Sequence, residues 1–142
     1  MAIEQFSRSL PMVLYRTLDA VMPRFRKIFN EFGLTEQQWR VLRVLWERQA
    51  ETLNNLAGLT LIPAPSLVGI IDRLERKQLV NRQRSQSDRR KINIVLTTQG
   101  AMLEDEVMPR VAAEYADLKQ NVSSETWGQV LDGLHRIATS AE

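Results

Sequence analysis

The sequence predicts a mainly α-helical protein that carries one short β-hairpin. Three observations point to it. Apolar residues recur at helical spacing in six separate segments. Two short apolar runs, Leu79-Val80 and Ile92-Asn93-Ile94-Val95-Leu96, bracket a polar, cationic loop as hairpin strands do. The order is four helices, the hairpin, then two helices, with no internal repeat and no low-complexity linker.

The first helix spans residues 8–32, with Leu10, Val13, Leu14, Leu18, Val21, Met22, Phe25, Ile28 and Phe29 in a near-continuous stripe. Pro23 inside it predicts a kink or a break. The stripe is wide for a helix packing on a small domain, so part of it is expected to form a dimer surface. Gly33-Leu34 ends this helix. Thr35-Glu36-Gln37-Gln38 has the form of a capping box and starts a second helix, running to about Arg48 with Val41, Leu42, Leu45 and Trp46 inward. A short third helix covers Leu53 to Gly58, with Leu53, Leu56 and Ala57 on its core face. After the turn 59–64, Pro65 suits a first-turn position, because its missing N–H costs nothing there. The fourth helix then runs to Gln78, with Leu67, Ile70, Ile71 and Leu74 at helical spacing. Beyond the hairpin, Thr97 or Thr98 caps a long helix over 99–119, which Pro109 should bend. Ser123 or Ser124 starts a last helix, to about Thr139.

At 142 residues the chain fits one domain with a core of its own. Hydrophobic residues make up 44% and charged residues 25%, an ordinary soluble profile. No apolar run reaches the roughly 18 residues of a membrane span. The first residues lack an export-signal pattern, and the expected location is the cytoplasm. The absence of cysteine excludes disulfides, zinc ribbons, iron–sulfur ligation and thiol redox sensing. The lone histidine, His135, reads as a surface or packing residue, so neither a metal nor a cofactor is expected. No phosphate-cradling glycine loop, nucleophile elbow or catalytic triad is visible, which argues against an enzyme.

The overall charge of +2 says little, but its distribution says more. Residues 60–100 carry eight Lys/Arg against three Asp/Glu, net +5, while residues 101–142 are net −5. A cationic face is thus segregated from an acidic module, the pattern expected of a duplex-DNA binder. The helices 53–58 and 65–78, joined by a short turn, fit helix-turn-helix geometry. The second would enter a major groove by its N-terminal end, Pro65-Ser66-Leu67-Val68-Gly69. Ser66 offers a hydroxyl to a base edge or phosphate, Gly69 permits close approach, and Arg73 lies one turn further on. In the loop, Arg84, Arg89 and Arg90 suit a minor groove, where narrow A·T tracts concentrate negative potential. Asp88 is expected to pair with a neighbouring arginine and hold it ready. The plainer alternative is an amphipathic helix and a solvated turn. A protein-interaction module using the same basic loop also stays open.

These residues also carry a resemblance. Asp88-Arg89-Arg90-Lys91, followed by Leu96-Thr97-Thr98-Gln99-Gly100, resembles the Asp-x-Arg wing and Leu-Thr-x-x-Gly signature of the MarR family. Leu34 to Arg43 and Pro65-Ser66-Leu67-x-Gly69-Ile70 are similar to the branch that represses homoprotocatechuate (hydroxyphenylacetate) degradation operons. That branch often has an Arg-Glu pair where this chain has Leu18-Asp19.

The resemblance implies a winged helix-turn-helix with a two-stranded β-wing and terminal dimerisation helices. In this single-domain reading, 34–98 is the DNA-binding lobe, and 1–33 and 99–142 dimerise. Arg90 would enter the minor groove and 65–73 would read the major groove. The implied function is repression of an aromatic-acid catabolic operon by a homodimer on a pseudo-palindromic operator. A small phenolic or aromatic carboxylate would release it. Such a ligand needs a cation and an apolar or aromatic wall. Met12 with Arg16, and Trp39 with Arg43, are the candidates. Against this stands Trp39 as a core residue with the arginines solvated or paired, in a regulator answering to another ligand or to none.

Overall fold

The structure is a computed structural model describing residues 1–142. Helix accounts for 69% of the chain, so the mainly α expectation holds. After a 3-10 turn at Phe6–Arg8 come α1 (Leu10–Glu31), α2 (Glu36–Arg48), β1 (Ala50–Thr52), α3 (Leu53–Thr60) and α4 (Ala64–Arg76). Then follow β2 (Val80–Arg84), β3 (Ile92–Leu96), α5 (Thr98–Lys119) and α6 (Ser124–Ser140).

The chain forms two compact units, Met1–Met108 and Pro109–Glu142. In the first, the buried faces of α2, α3 and α4 meet the base of the sheet. Val41, Leu42, Leu45, Leu56, Leu67, Ile71, Leu74, Val80 and Ile94 are all fully buried there. Each such side chain contributes about 1.5–3 kcal/mol on leaving water. In the second unit Trp127 packs edge-on to Tyr115 at 6.4 Å, and the Lys119 ammonium lies 5.4 Å from the Trp127 ring. The Ser123 hydroxyl accepts the Thr126 amide at 3.0 Å and caps α6.

Local signals placed most boundaries. The Thr35 hydroxyl accepts the Gln38 amide at 3.1 Å, and the Gln38 side chain accepts the Thr35 amide at 3.2 Å. Both halves of the capping box are therefore made, worth about 1 kcal/mol. Pro23 breaks nothing: α1 runs unbroken through it. The ring removes one donor, toward the exposed Asp19 carbonyl, where water can substitute. α5 likewise runs through Pro109.

The sheet has one more strand than the hairpin predicts. β3 is central, in the order β1-β3-β2, and both neighbours are antiparallel to it. Ala50 pairs with Val95 and Thr52 with Asn93, while Val80 pairs with Leu96 and Arg84 with Ile92. β1 is only three residues long, too short to show alternation in the sequence. It anchors the wing's base beside the N-terminus of α3.

Candidate nucleic-acid interface

α3 and α4 meet at 106°, across a break of three residues, Leu61, Ile62 and Pro63. That angle and turn length are those of a helix-turn-helix. Leu61 makes the turn by adopting φ +56°, the left-handed region, and leaves its side chain 84% exposed. Ile62, the next residue, is buried. Arg40 of α2 donates to the Thr60 carbonyl at 3.3 Å and fastens the turn from behind.

Pro65 lies in the first turn of α4, as the sequence predicts. Pro65, Ser66 and Arg73 are exposed, and Gly69 has open space where a side chain would stand. Leu67 is a correction. The motif puts it at the DNA surface, but it is 0% exposed. Its spacing with Ile70, Ile71 and Leu74 puts it on the core stripe, so its side chain cannot reach a base. Val68, 41% exposed, takes the outward place beside it.

The wing presents Arg84, Arg89, Arg90 and Lys91 to solvent. Its tip is held by backbone bonds from Ser85 to the Lys91 carbonyl, 2.9 Å, and from Lys91 to the Asp88 carbonyl, 3.0 Å. Arg84 donates to the Arg89 carbonyl at 3.4 Å. One oxygen of Asp88 accepts both the Arg90 amide, 3.0 Å, and its Nε, 3.3 Å. The Arg90 side chain is still 91% exposed. Asp88 thus orients Arg90 without covering it. The Arg90 amide first, then its side chain and the Lys91 charge, hold the Asp88 carboxyl below its ordinary value.

The wing's base is locked to the start of α5. The Thr97 amide donates to the Leu79 carbonyl at 3.1 Å, and its hydroxyl donates to the Gln78 carbonyl at 2.7 Å. The same hydroxyl accepts the Gly100 amide at 2.9 Å. A Cβ on Gly100 would stand 2.1 Å from the Leu79 carbonyl oxygen, so only glycine fits. Trp46 then donates its indole N–H to the Gly100 carbonyl at 2.9 Å. Thr97 and Gly100 are therefore residues of architecture that aim the wing.

Two further interactions near α4 are absent from the sequence expectations. Arg82 on β2 reaches α4, pairing with Asp72 at 2.7 Å and with Glu75. Lys77, just past α4, donates to the Gly33 carbonyl and, at 2.9 Å, to the Gln38 side chain. The readable signal for the first was the pair of acids on α4 in an otherwise basic segment.

The effector candidates fall into two places. Met12 and Arg16 line an open groove of about 480 Å³ along α1, with Tyr15, Leu18, Asp19 and Arg26. Arg16 donates to the Ser7 carbonyl at 3.0 Å. Trp39 and Arg43 do not line this groove. Trp39 stacks on Phe29 at 4.6 Å and meets Trp46 edge-on at 5.5 Å. Arg43 pairs with Glu47 at 2.7 Å. His135 is exposed on α6. No single helix is long and apolar enough to cross a membrane.

A 106° helix pair followed by a basic two-stranded wing defines a winged helix-turn-helix protein. Residues 34–92 match the MarR family. The chain is 35% identical to the homoprotocatechuate degradative operon repressor of Escherichia coli, over 86% of this chain and 82% of that protein. It is 33% identical to the HTH-type transcriptional regulator FarR of Neisseria gonorrhoeae, over 92% of this chain and 89% of that protein. Among solved structures, NadR in complex with 4-hydroxyphenylacetate superposes with a TM-score of 0.83 at 32% identity, covering 97% of this chain and 98% of that one. The chain belongs to the MarR family of transcriptional regulators. Its relatives are regulators and not enzymes.

Proposed function

We propose that this regulator binds duplex DNA as a cytoplasmic homodimer and represses an aromatic-acid catabolic operon. The observation that carries the DNA reading is an exposed α4 N-terminal face together with an Arg90 that Asp88 holds outward. Pro65, Ser66, Gly69 and Arg73 meet the major groove. Arg84, Arg89 and Arg90 meet the adjacent minor groove, with Asp88 acting through Arg90. Residues 34–98 form the DNA-binding lobe, and 1–33 with 99–142 form the dimerisation helices. Exposed apolar residues support the latter: Leu10, Val13, Leu14 and Leu18 on α1, and Val130, Leu131 and Ile137 on α6. A two-fold dimer reads a pseudo-palindrome with half-sites about 10 base pairs apart.

A phenolic or aromatic carboxylate is the effector, and it acts by binding one lobe spacing better than another. The Escherichia coli relative's role and NadR's 4-hydroxyphenylacetate support this class. Of the two candidate places, the Met12–Arg16 groove has open volume and a cation within reach. Trp39 has one face occupied by Phe29, which favours a packing role there.

DNA selection from random duplexes, followed by footprinting, tests the first part. A protected two-fold site whose affinity falls steeply between about 50 and 200 mM salt is expected. Protection of one unsymmetrical half-site by a monomer would count against it. A thermal-shift screen with hydroxylated aromatic acids tests the second, since a ligand raises the melting temperature by mass action. Arg16→Ala should abolish the shift. Retained shifts in both Arg16→Ala and Trp39→Ala would remove both candidate places.

A further inference from the structure

The basic segment 60–100 contains three acids, Asp72, Glu75 and Asp88, and each is engaged with an arginine. Asp88 serves Arg90. The other two both serve Arg82. Its guanidinium donates to Asp72 at 2.7 Å, to Glu75, and to the Val68 carbonyl at 3.3 Å. The Arg82 amide adds a bond to the second Glu75 oxygen at 3.3 Å. Val68, Asp72 and Glu75 are spaced i, i+4 and i+7, so they share one face of α4. A single wing side chain therefore grips two turns of the recognition helix.

The grip suits alignment better than DNA contact. The Arg82 side chain is only 27% exposed, against 91% for Arg90, and two carboxylates offset its charge. Planar guanidinium geometry lets one group serve several acceptors at fixed angles, which an ammonium cannot do. β2 also continues directly into the strand residue Arg84 and the tip that carries Arg90. The two DNA-reading parts thus have one rigid link between their middles, in addition to the chain connection at Gln78-Leu79.

We infer that Arg82 is a positioning residue that fixes the distance and angle between α4 and the wing, so that specificity depends on it although it touches no base. The inference rests on the DNA reading proposed above. It makes an unusual demand on Asp72. Removing that acid makes the DNA face more positive, so electrostatics alone would tighten binding to any duplex. Loss of alignment would instead lower the preference for the correct duplex.

The test compares a duplex that the wild-type protein selects from a random pool with a scrambled duplex of the same length. Arg82→Met, Arg82→Lys and Asp72→Asn are measured alongside wild type, with thermal melts to show that each is folded. Arg82→Met and Asp72→Asn should each lower the ratio of specific to scrambled affinity by about ten-fold, the scale of one lost base contact. Arg82→Met should weaken binding to scrambled DNA only modestly, through the two carboxylates it leaves uncompensated, with a salt slope as in wild type. Arg82→Lys should not restore the ratio. A smaller salt slope with equal loss on both duplexes, rescued by lysine, would make Arg82 a phosphate contact and overturn the inference. Unchanged ratios in folded Asp72→Asn would overturn it too. A wild-type protein that selects no sequence would overturn the DNA reading itself, and the inference with it.

Discussion

Asp88 and Arg90 divide one task between them. The carboxylate accepts two bonds, and the cation stays in solvent. Arg90→Ala should therefore weaken duplex binding by about 1–3 kcal/mol, the worth of a lost base contact, as read by titration at fixed salt. Asp88→Asn keeps the cation but loosens its aim, so a smaller loss is expected. The pH dependence follows from the depressed Asp88 pKa. Its contribution is present above the ordinary carboxylate value and is lost only as pH falls through the lowered one. Affinity should stay flat through neutral pH in wild type, and Asp88→Asn should reproduce the acid form at every pH. A neutral-range inflection that disappears in Asp88→Asn would contradict this. Gly100→Ala is a sharper case. Its Cβ would collide with the backbone at Leu79, not with a movable side chain. Thermal melts should show a loss of about 1–3 kcal/mol despite alanine's better helix propensity.

At the level of elements, the reading turn stores strain at one point. Leu61 sits in the left-handed region, which costs a β-carbon residue roughly 1–2 kcal/mol. Its exposed side chain gives little packing in return. Leu61→Gly should therefore be neutral to stabilising by up to about 1 kcal/mol after the entropy cost of glycine. A marked destabilisation would mean that the side chain is needed where it stands. How far the elements were legible follows from the reach of each signal. The Thr35 box, the Thr97 and Ser123 caps and the helical stripes are local patterns with local causes, and they appear where the sequence predicts them. β1 was missed because three residues carry no periodicity. Leu67 was misplaced because a motif was read as a surface, although its own spacing marked it as core. Arg82 was missed although Glu75 is only seven residues away, because the turn between α4 and β2 decides which faces meet, and Lys77 was missed because its partners lie across the fold. Lys77 and Gln38 are 39 residues apart, and no local pattern announces that contact.

At the scale of the whole molecule, the apolar residues exposed on α1 and α6 make oligomeric state the decisive measurement. Sedimentation should give a dimer, and Leu14→Glu with Leu131→Glu should shift it toward monomer and lower DNA affinity together. A monomeric wild type with full affinity would remove the dimer from the proposed mechanism. The arrangement of the acids has a further consequence for traffic along a chromosome. Added salt screens the exposed cations that draw the lobe to phosphate, over a distance of about 8 Å at physiological strength. The Arg82 grip is short and partly sheltered, so it is screened much less. Salt should then release the protein from DNA without softening its helix-and-wing outline. A regulator so braced would arrive at each random site already shaped, with no need to rebuild its reading head at every landing.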